Sequence, residues 1–215
     1  MKKILLLVVI SSTLLSCSKK SNPGPSTSSV NDAESTVNIM GTAYPVVKIG
    51  NQSWTAINYN GPGGFFNTGN VLQTVLDGKL YSPEEAAQIT LPAGWRIPTY
   101  DDYANILVAR GASQNTDGSY TAGLNVIHSL MAENGWSEGG GNNYSKFSAL
   151  PTGFYHLGAI YGTGNGASFL HSFSAGAEPD AAFTIGPGPD GQPFVYLGLI
   201  LIDGDRCSLR FVKDN

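Results

Sequence analysis

The sequence has few charged residues and very few cysteines. Only 13% of its 215 residues are charged, and 16 acidic residues outnumber 12 basic ones, which gives a net charge of −4. Nucleic-acid-binding proteins carry a basic surface, so this balance excludes nucleic acid as a partner. The low charge, the 27 glycines and a hydrophobic content of 41% together indicate a globular, loop-rich protein outside the cytoplasm.

No apolar run is long enough to span a membrane, because a spanning helix needs about 20 apolar residues. The short apolar run at 4–10 follows Lys2-Lys3 and precedes Leu-Leu-Ser-Cys at 14–17. This order is typical of a bacterial signal peptide that ends in a lipobox. We therefore predict that residues 1–16 are removed and that Cys17 carries acyl chains such as palmitate. This lipid is the expected attachment to the membrane.

The segment after the lipobox is polar and rich in Ser, Pro and Gly, so 17–36 are predicted to form a disordered tether. The globular domain is expected to cover 37–215, a length that suits one domain with its own core. With Cys17 acylated, Cys207 has no partner within the chain, which excludes a disulfide framework. Cys207 lies in a strand-like stretch and is interpreted as a buried, inert thiol.

Several motifs that carry chemistry are also missing. The three histidines, His128, His156 and His171, do not form a pair at metal-binding helical spacing, and no Cys-x-x-Cys occurs. No Gly-x-Ser-x-Gly nucleophile elbow and no phosphate-binding loop is present. We therefore predict no metal, no cofactor and no enzymatic activity, although a triad assembled in space is not excluded by sequence.

The apolar pattern predicts an α+β fold. Gly50-Asn51 is a two-residue turn signal between strand patterns at 44–49 and 52–57. Capping residues and apolar spacing predict two to three helices in the first half, at 83–89, 100–110 and 124–133. Antiparallel strands are expected in the second half, at 147–155, 167–174, 181–185, 193–202 and 207–213.

Four blocks in order resemble a known family. They are VKIGNQSW at 47–54, LPAGWRIPT at 91–99, FSALPTG at 147–153 and LRFVKD at 209–214. Together they resemble the Fibrobacter succinogenes major paralogous domain, which is common in Bacteroidetes lipoproteins. The GWRIPT segment is also similar to formylglycine-generating enzymes, and this likeness implies a C-type-lectin-like fold. Oxidase chemistry of that kind needs a cysteine pair, which this chain lacks.

The chain also departs from the family pattern. The family glutamate after the first block is absent at 55–58, and the sequence FLHS at 169–172 replaces a Trp-rich strand. The remaining shared residues are interpreted as architectural, with Trp54 and Trp95 filling a core and Arg96 binding loop carbonyls. Lys19 and Lys20 stand where surface-exported Bacteroidetes lipoproteins have acidic residues. The expected localisation is therefore the outer membrane, with the periplasmic face favoured over the cell surface.

The candidate ligand contacts lie in the second half of the domain. Trp136 sits in the Gly-rich loop 135–143, which is expected to be flexible and exposed, and there it either stacks on a sugar ring or anchors the loop to the core. The other candidates flank the Gly-rich hairpin 158–166 and are Tyr155, His156, Phe169 and His171. Glu178-Pro179-Asp180 is similar to the Glu-Pro-Asn of sugar-binding C-type lectins, so Glu178 and Asp180 are candidate calcium ligands. Asp203 and Asp205 are possible additional ligands, and the alternative is a plain turn sequence.

These features lead to one expectation about function. The chain is expected to be a lipid-anchored envelope protein whose domain binds glycan or protein without catalysis. The alternative is a structural subunit associated with a fimbria or adhesin. A concave pocket with aromatic and polar groups would favour binding, whereas an open sheet edge or a flat apolar patch would favour assembly.

Overall fold

The computed structural model describes residues 35–67, 77–116, 119–187 and 193–215. The predicted signal peptide, Cys17 and nearly all of the predicted tether lie outside these ranges. Within them, no helix has the length and apolar character needed to cross a membrane.

The described residues form an α+β fold dominated by strands. The helices are α1 (Pro83–Ala87), α2 (Tyr100–Ala109) and α3 (Leu124–Leu130). The strands are β1 (Thr36–Ile39), β2 (Thr42–Ile49), β3 (Gln52–Thr55), β4 (Leu80–Tyr81), β5 (Ser113–Gln114), β6 (Tyr120–Thr121), β7 (Thr152–His156), β8 (Ala159–Thr163), β9 (Ala167–His171), β10 (Ala181–Pro187), β11 (Pro193–Ile200), β12 (Cys207–Ser208) and β13 (Val212–Asp214).

Two sheets organise the domain. The terminal sheet has the order β1-β2-β3-β13, so the first and last strands share it. The central sheet has the order β11-β10-β9-β12-β4, and the β7–β8 hairpin joins it beside β9. The strands of the second half are not all antiparallel as predicted, because β12 and β7 both run parallel to β9. Other strands separate the members of each pair along the chain, namely β8 between β7 and β9 and the β10–β11 hairpin between β9 and β12, and they provide the crossover that parallel pairing needs.

The predicted starts of α1 and α2 are confirmed, whereas the two helices end two residues and one residue before their predicted ends. Ser82 and Thr99 both form capping boxes, in which the side chain three residues later accepts a bond from the cap backbone. Helix α3 ends three residues before the predicted end because Met131 adopts an extended backbone. The neighbouring Ala132 N–H then donates to the carbonyl oxygen of Ala149 instead of continuing the helix.

Residues 147–151 do not extend the strand β7, contrary to the prediction. Ser148 has a φ of +54°, a left-handed conformation that interrupts a strand. The carbonyl group of Ser148 accepts a hydrogen bond from the side chain of Arg210 at 3.1 Å, which fixes this turn against the core. The predicted strand at 207–213 is likewise divided, into β12 and β13.

Two of the blocks used for the family resemblance, 147–153 and 209–214, meet at Arg210, which is completely buried. Its guanidinium donates to the Thr55 carbonyl at 2.8 Å and to the Asn58 side chain at 2.6 Å. It also lies over the ring of Phe147, 5.1 Å from the centroid. No carboxylate pairs with it in the described part of the chain. Burial lowers the pKa of Arg210 to about 9.

Two predictions about the shared residues need revision. Trp54 is buried as expected, but Trp95 is only partly buried. Arg96 does not hold loop carbonyls with its side chain. It pairs instead with the carboxylates of Asp102, in α2, and Asp214, in β13. The reason is that the capping box of α2 has Asp102 at its third helical position, where the carboxylate lies directly beside the Arg96 guanidinium.

The interpretation of Cys207 as a buried thiol is confirmed. Its side chain has no exposed surface, and burial raises the pKa of the thiol well above its usual range. The adjacent Arg206 does not approach the thiol to activate it. Its guanidinium pairs with Glu85 and lies over the ring of Phe65.

Candidate ligand-binding site

Trp136 is fixed in the structure and is not the exposed residue of a mobile loop. Only 9% of its surface is exposed, and its indole N–H donates to the carbonyl oxygen of Ala149 at 3.1 Å. The anchor interpretation is therefore confirmed for the indole N–H. The side chain belongs to the hydrophobic core and also lines a cavity, so the residue both anchors the loop and forms part of the cavity lining.

The Gly-rich loop is ordered by close packing against the end of α3. The backbone N–H of Gly141 donates to the carbonyl of Ala132 at 2.8 Å, and that of Asn142 donates to His128 at 2.9 Å. A Cβ at Gly141 would overlap the His128 carbonyl, so only glycine permits this approach. The glycine content suggested a flexible loop. In the structure, Gly141 instead allows a close backbone contact that only glycine permits.

The cavity beside Trp136, here called the Trp136 cavity, has a volume of about 180 Å³. Pockets for drug-sized ligands measure about 300–1,000 Å³, so this cavity has room for one ring or one side chain. Its apolar lining comes from Trp136, Met131, Pro187 and Pro193, and its polar lining from His128, Glu138 and Asn165.

The three polar side chains of the Trp136 cavity are available to a ligand. None of them makes a side-chain hydrogen bond or an ion pair with another residue in the described ranges. Each comes from a different segment, namely α3, the Gly-rich loop and the turn before β9. An aromatic wall with a carboxylate, an amide and an imidazole around it can orient a ligand that has both apolar and hydrogen-bonding edges.

Tyr155 and His156 lie on β7, away from the residues that line the Trp136 cavity. The Tyr155 ring packs edge-on against Phe65 at 5.3 Å, and its backbone pairs with Arg206. His156 Nδ1 lies 2.8 Å from the buried carboxylate of Asp205. The other carboxylate oxygen of Asp205 accepts the N–H of Ile202 at 3.1 Å.

The His156–Asp205 pair resembles part of a hydrolytic constellation, because a buried acid orients the imidazole. Among the described residues, no serine, threonine or cysteine side chain forms a hydrogen bond with His156. The pair instead ties the β7–β8 hairpin to the loop before β12. Asp205 is thereby committed to a structural contact rather than to a metal ion.

Phe169 and His171 were candidate ligand contacts, and the structure corrects both. They lie on the central strand β9 and have no exposed surface. Phe169 packs against Phe147 at 5.2 Å, within the core. His171 Nδ1 lies 3.0 Å from the Ser172 carbonyl, and burial lowers the pKa of the imidazole. A central strand covered on both faces buries every side chain, whichever way it points.

Glu178 and Asp180 are both exposed, and no third acidic or histidine side chain joins them. In the described part of the chain, no group of three such residues is arranged to hold a metal ion. The Asp180 carbonyl accepts the N–H of Leu201 at 3.0 Å, so this segment acts as a turn beside β10. The calcium interpretation therefore has no structural support.

A second concave surface lies along β11 and was not predicted. It has a volume of about 290 Å³ and is lined by Tyr100, Leu107, Ser119, Tyr120, Val195, Tyr196 and Leu197. We call it the tyrosine groove. Its residues come from α2, β6 and β11, which are far apart in sequence, so no local pattern could have indicated it.

The sequence identified Trp136 as a site residue but missed the polar partners of its cavity. For His128 the sequence predicts only a surface or partly buried residue of the third helix, and Glu138 and Asn165 belong to loops without a recognisable motif. The one available signal was the clustering of glycines at 135–141 and 158–166, which marks two segments where backbones pack closely. Comparison of the chain with protein-family models, curated proteins and solved structures found no match.

Proposed function

We propose that this chain is a lipid-anchored protein of the outer membrane whose domain binds a ligand without catalysing a reaction. The lipobox ending at Cys17 supports the anchor, and Lys19 and Lys20 favour the periplasmic face. The four blocks shared with the Fibrobacter succinogenes major paralogous domain support membership of that family and a C-type-lectin-like fold. The burial of Trp54 and Arg210 agrees with an architectural role for these blocks.

The observation that carries the binding function is the Trp136 cavity. A fixed indole and three uncommitted polar side chains converge on a space that fits one ring. A sugar ring matches this lining, because its C–H face packs on an aromatic surface while its hydroxyls bond to carboxylate and amide groups. We therefore propose a glycan as the ligand, with Glu138 and Asn165 as hydrogen-bonding residues.

A glycan array followed by titration calorimetry tests this proposal. Glu138→Gln and Asn165→Ala should each weaken binding of the glycan selected on the array by about tenfold, the cost of one hydrogen bond that involves a charged or buried group. Glu133→Gln is the matched control, since Glu133 is exposed but does not line the cavity. Equal affinities for all three variants would contradict the proposal, and so would an array without any selected glycan.

The rival function, a structural or fimbria-associated subunit, is favoured by a different observation. Three large apolar residues on β11 are exposed, namely Phe194, Tyr196 and Ile200. Exposed apolar residues in a row mark surfaces that other proteins cover. Sedimentation of wild type together with a surface filament, and loss of that association in the Tyr196→Lys variant, would support this rival function.

A further inference from the structure

Strand β11 is an open edge of the central sheet. Among the described residues it pairs only with β10, and the sheet order ends with it. The outer side of such a strand presents backbone N–H and C=O groups that no neighbouring strand uses. These groups can form backbone hydrogen bonds with one additional strand.

The usual protection of an edge strand is weak here. Natural edges carry charged side chains, prolines or bulges that prevent pairing with another chain. No residue of β11 is charged, and proline occurs only at its first position. A bulge at Gly198, which has a φ of +88°, interrupts the register with β10. The regular part of the edge therefore covers the residues before Gly198.

The tyrosine groove lies along this regular part. Three consecutive residues of β11, from Val195 to Leu197, line it. Successive side chains of a strand point to opposite faces, so a surface lined by all three includes the edge of the strand itself. The opposite wall comes from α2 and from Tyr120 on β6, and none of the described residues that line the groove is charged.

We infer that the edge of β11 binds an extended, uncharged polypeptide segment of a partner protein by strand addition. The backbone of the segment pairs with β11, and its alternate side chains enter the tyrosine groove or cover Phe194 and Tyr196. Charged side chains are disfavoured, because the described residues that line the groove offer no countercharge to a desolvated charge. The inference goes beyond glycan binding and depends on the open edge, so it can fail independently of the Trp136 cavity.

The experiment uses the full chain, extracted from membranes in mild detergent, and a fluorescent peptide of alternating valine and threonine. Binding is measured by fluorescence anisotropy. A peptide with the same side chains but methylated backbone nitrogens is the matched probe, since it lacks the donors needed for strand pairing. We expect the methylated peptide, and a version with lysine in place of threonine, to bind at least about tenfold more weakly.

Variants of the protein test whether the peptide binds at the edge of β11. Tyr196→Lys places a charge at the edge and should weaken peptide binding at least about tenfold. Tyr144→Lys is the control, because Tyr144 is an exposed tyrosine away from β11. Asn165→Ala should leave peptide binding unchanged, which separates this site from the Trp136 cavity. Thermal melts of both lysine variants should stay close to wild type, because neither tyrosine is buried.

Three outcomes would overturn the inference. The first is equal affinity for the methylated and unmethylated peptides, or no binding of any peptide. The second is a linear oligosaccharide that binds in competition with the peptide and loses affinity in Tyr196→Lys. The third is a dimer, seen by sedimentation, that Tyr196→Lys dissociates while no peptide binds to the monomer, since the occupant would then be a second copy of β11.

Discussion

At the scale of single residues, Arg210 illustrates how this protein accommodates charge in its core. A buried cation normally needs an anion, and here three uncharged acceptors and two aromatic rings take its place. The acceptors come from two segments of the chain, Thr55 and Asn58 at and just after the end of β3, and Ser148 in the turn before β7. The side chain therefore joins the terminal sheet to the turn before β7, and its removal would leave buried acceptors without donors.

We predict that Arg210→Met lowers the free energy of unfolding by about 3–5 kcal/mol, because three buried acceptors lose their donor at a cost of about 1–3 kcal/mol each, partly offset by the removal of a buried charge. Methionine retains much of the volume, so the loss reports on hydrogen bonds more than on packing. Urea unfolding measures the change. Arg206→Met is the control and should cost less than about 1 kcal/mol, because the Arg206–Glu85 pair is partly exposed. A loss for Arg210→Met as small as for the control would show that its contacts contribute little.

At the scale of secondary structure elements, the start of α2 is the main point of attachment between the helix and the terminal sheet. Asp102 accepts hydrogen bonds from the Thr99 backbone at 2.6 Å and from Gln52, on β3, at 2.6 Å. It also pairs with Arg96, whose guanidinium reaches Asp214 on β13. One carboxylate thus caps a helix and contacts a strand of another layer.

This network predicts how stability depends on pH. Burial alone would raise the pKa of Asp102, but hydrogen bonds from Arg96, Thr99 and Gln52 outweigh it and lower the pKa below its model-peptide value of 3.8. A lowered carboxylate pKa stabilises the folded state at pH above about 4. That contribution is lost as the pH falls through the lower pKa of the folded state.

We therefore expect wild type to lose unfolding free energy below about pH 4 more steeply than Asp102→Asn, which has no proton to gain. Chemical unfolding at a series of pH values measures both curves. Asp101→Asn, at the exposed neighbouring position, should follow the wild-type curve. If the unfolding free energies of wild type and Asp102→Asn fall equally steeply below about pH 4, the network does not stabilise the ionised carboxylate in the folded state.

Elements with local signals were predictable, and those that depend on distant partners were not. The helix starts at Pro83 and Tyr100 follow from cap residues within three positions, and the hairpin of β2 and β3 follows from Gly50-Asn51. By contrast, α3 ends early because Ala132 bonds to a residue 17 positions later, Ala149. The Ala149 carbonyl competes with the helix for this N–H group, and it lies too far along the chain to enter a local helix pattern.

At the scale of the whole molecule, the described domain has two faces with different chemistry beside β11. The Trp136 cavity is small and is lined by a carboxylate, an amide and an imidazole, whereas the tyrosine groove is larger and its described lining residues are uncharged. Two such surfaces allow an anchored protein to hold a glycan and a protein segment independently. The proposed anchor would keep both near the membrane surface.

The anchor itself is tested by Cys17→Ser, which removes the thiol that would receive the lipid. We predict that the variant is found uncleaved or in the soluble fraction and does not incorporate a palmitate analogue. Cell fractionation and labelling measure the two effects. Cys207→Ser is the control, because a fully buried thiol should play no part in acylation. Membrane fractionation and labelling of Cys17→Ser at wild-type levels would refute lipidation at this position.

The sequence by itself determined the α+β class, the first turns of α1 and α2, and the burial of Trp54 and Cys207. These properties follow from local capping and from the cost of exposing apolar side chains, both of which act within a few residues. Only the tertiary structure decided that Phe169 and His171 are interior, since a strand pattern does not state whether both faces are covered. It also brought His128, Glu138 and Asn165 around Trp136 and left β11 at the edge, because strand order and cavity linings depend on contacts between distant segments.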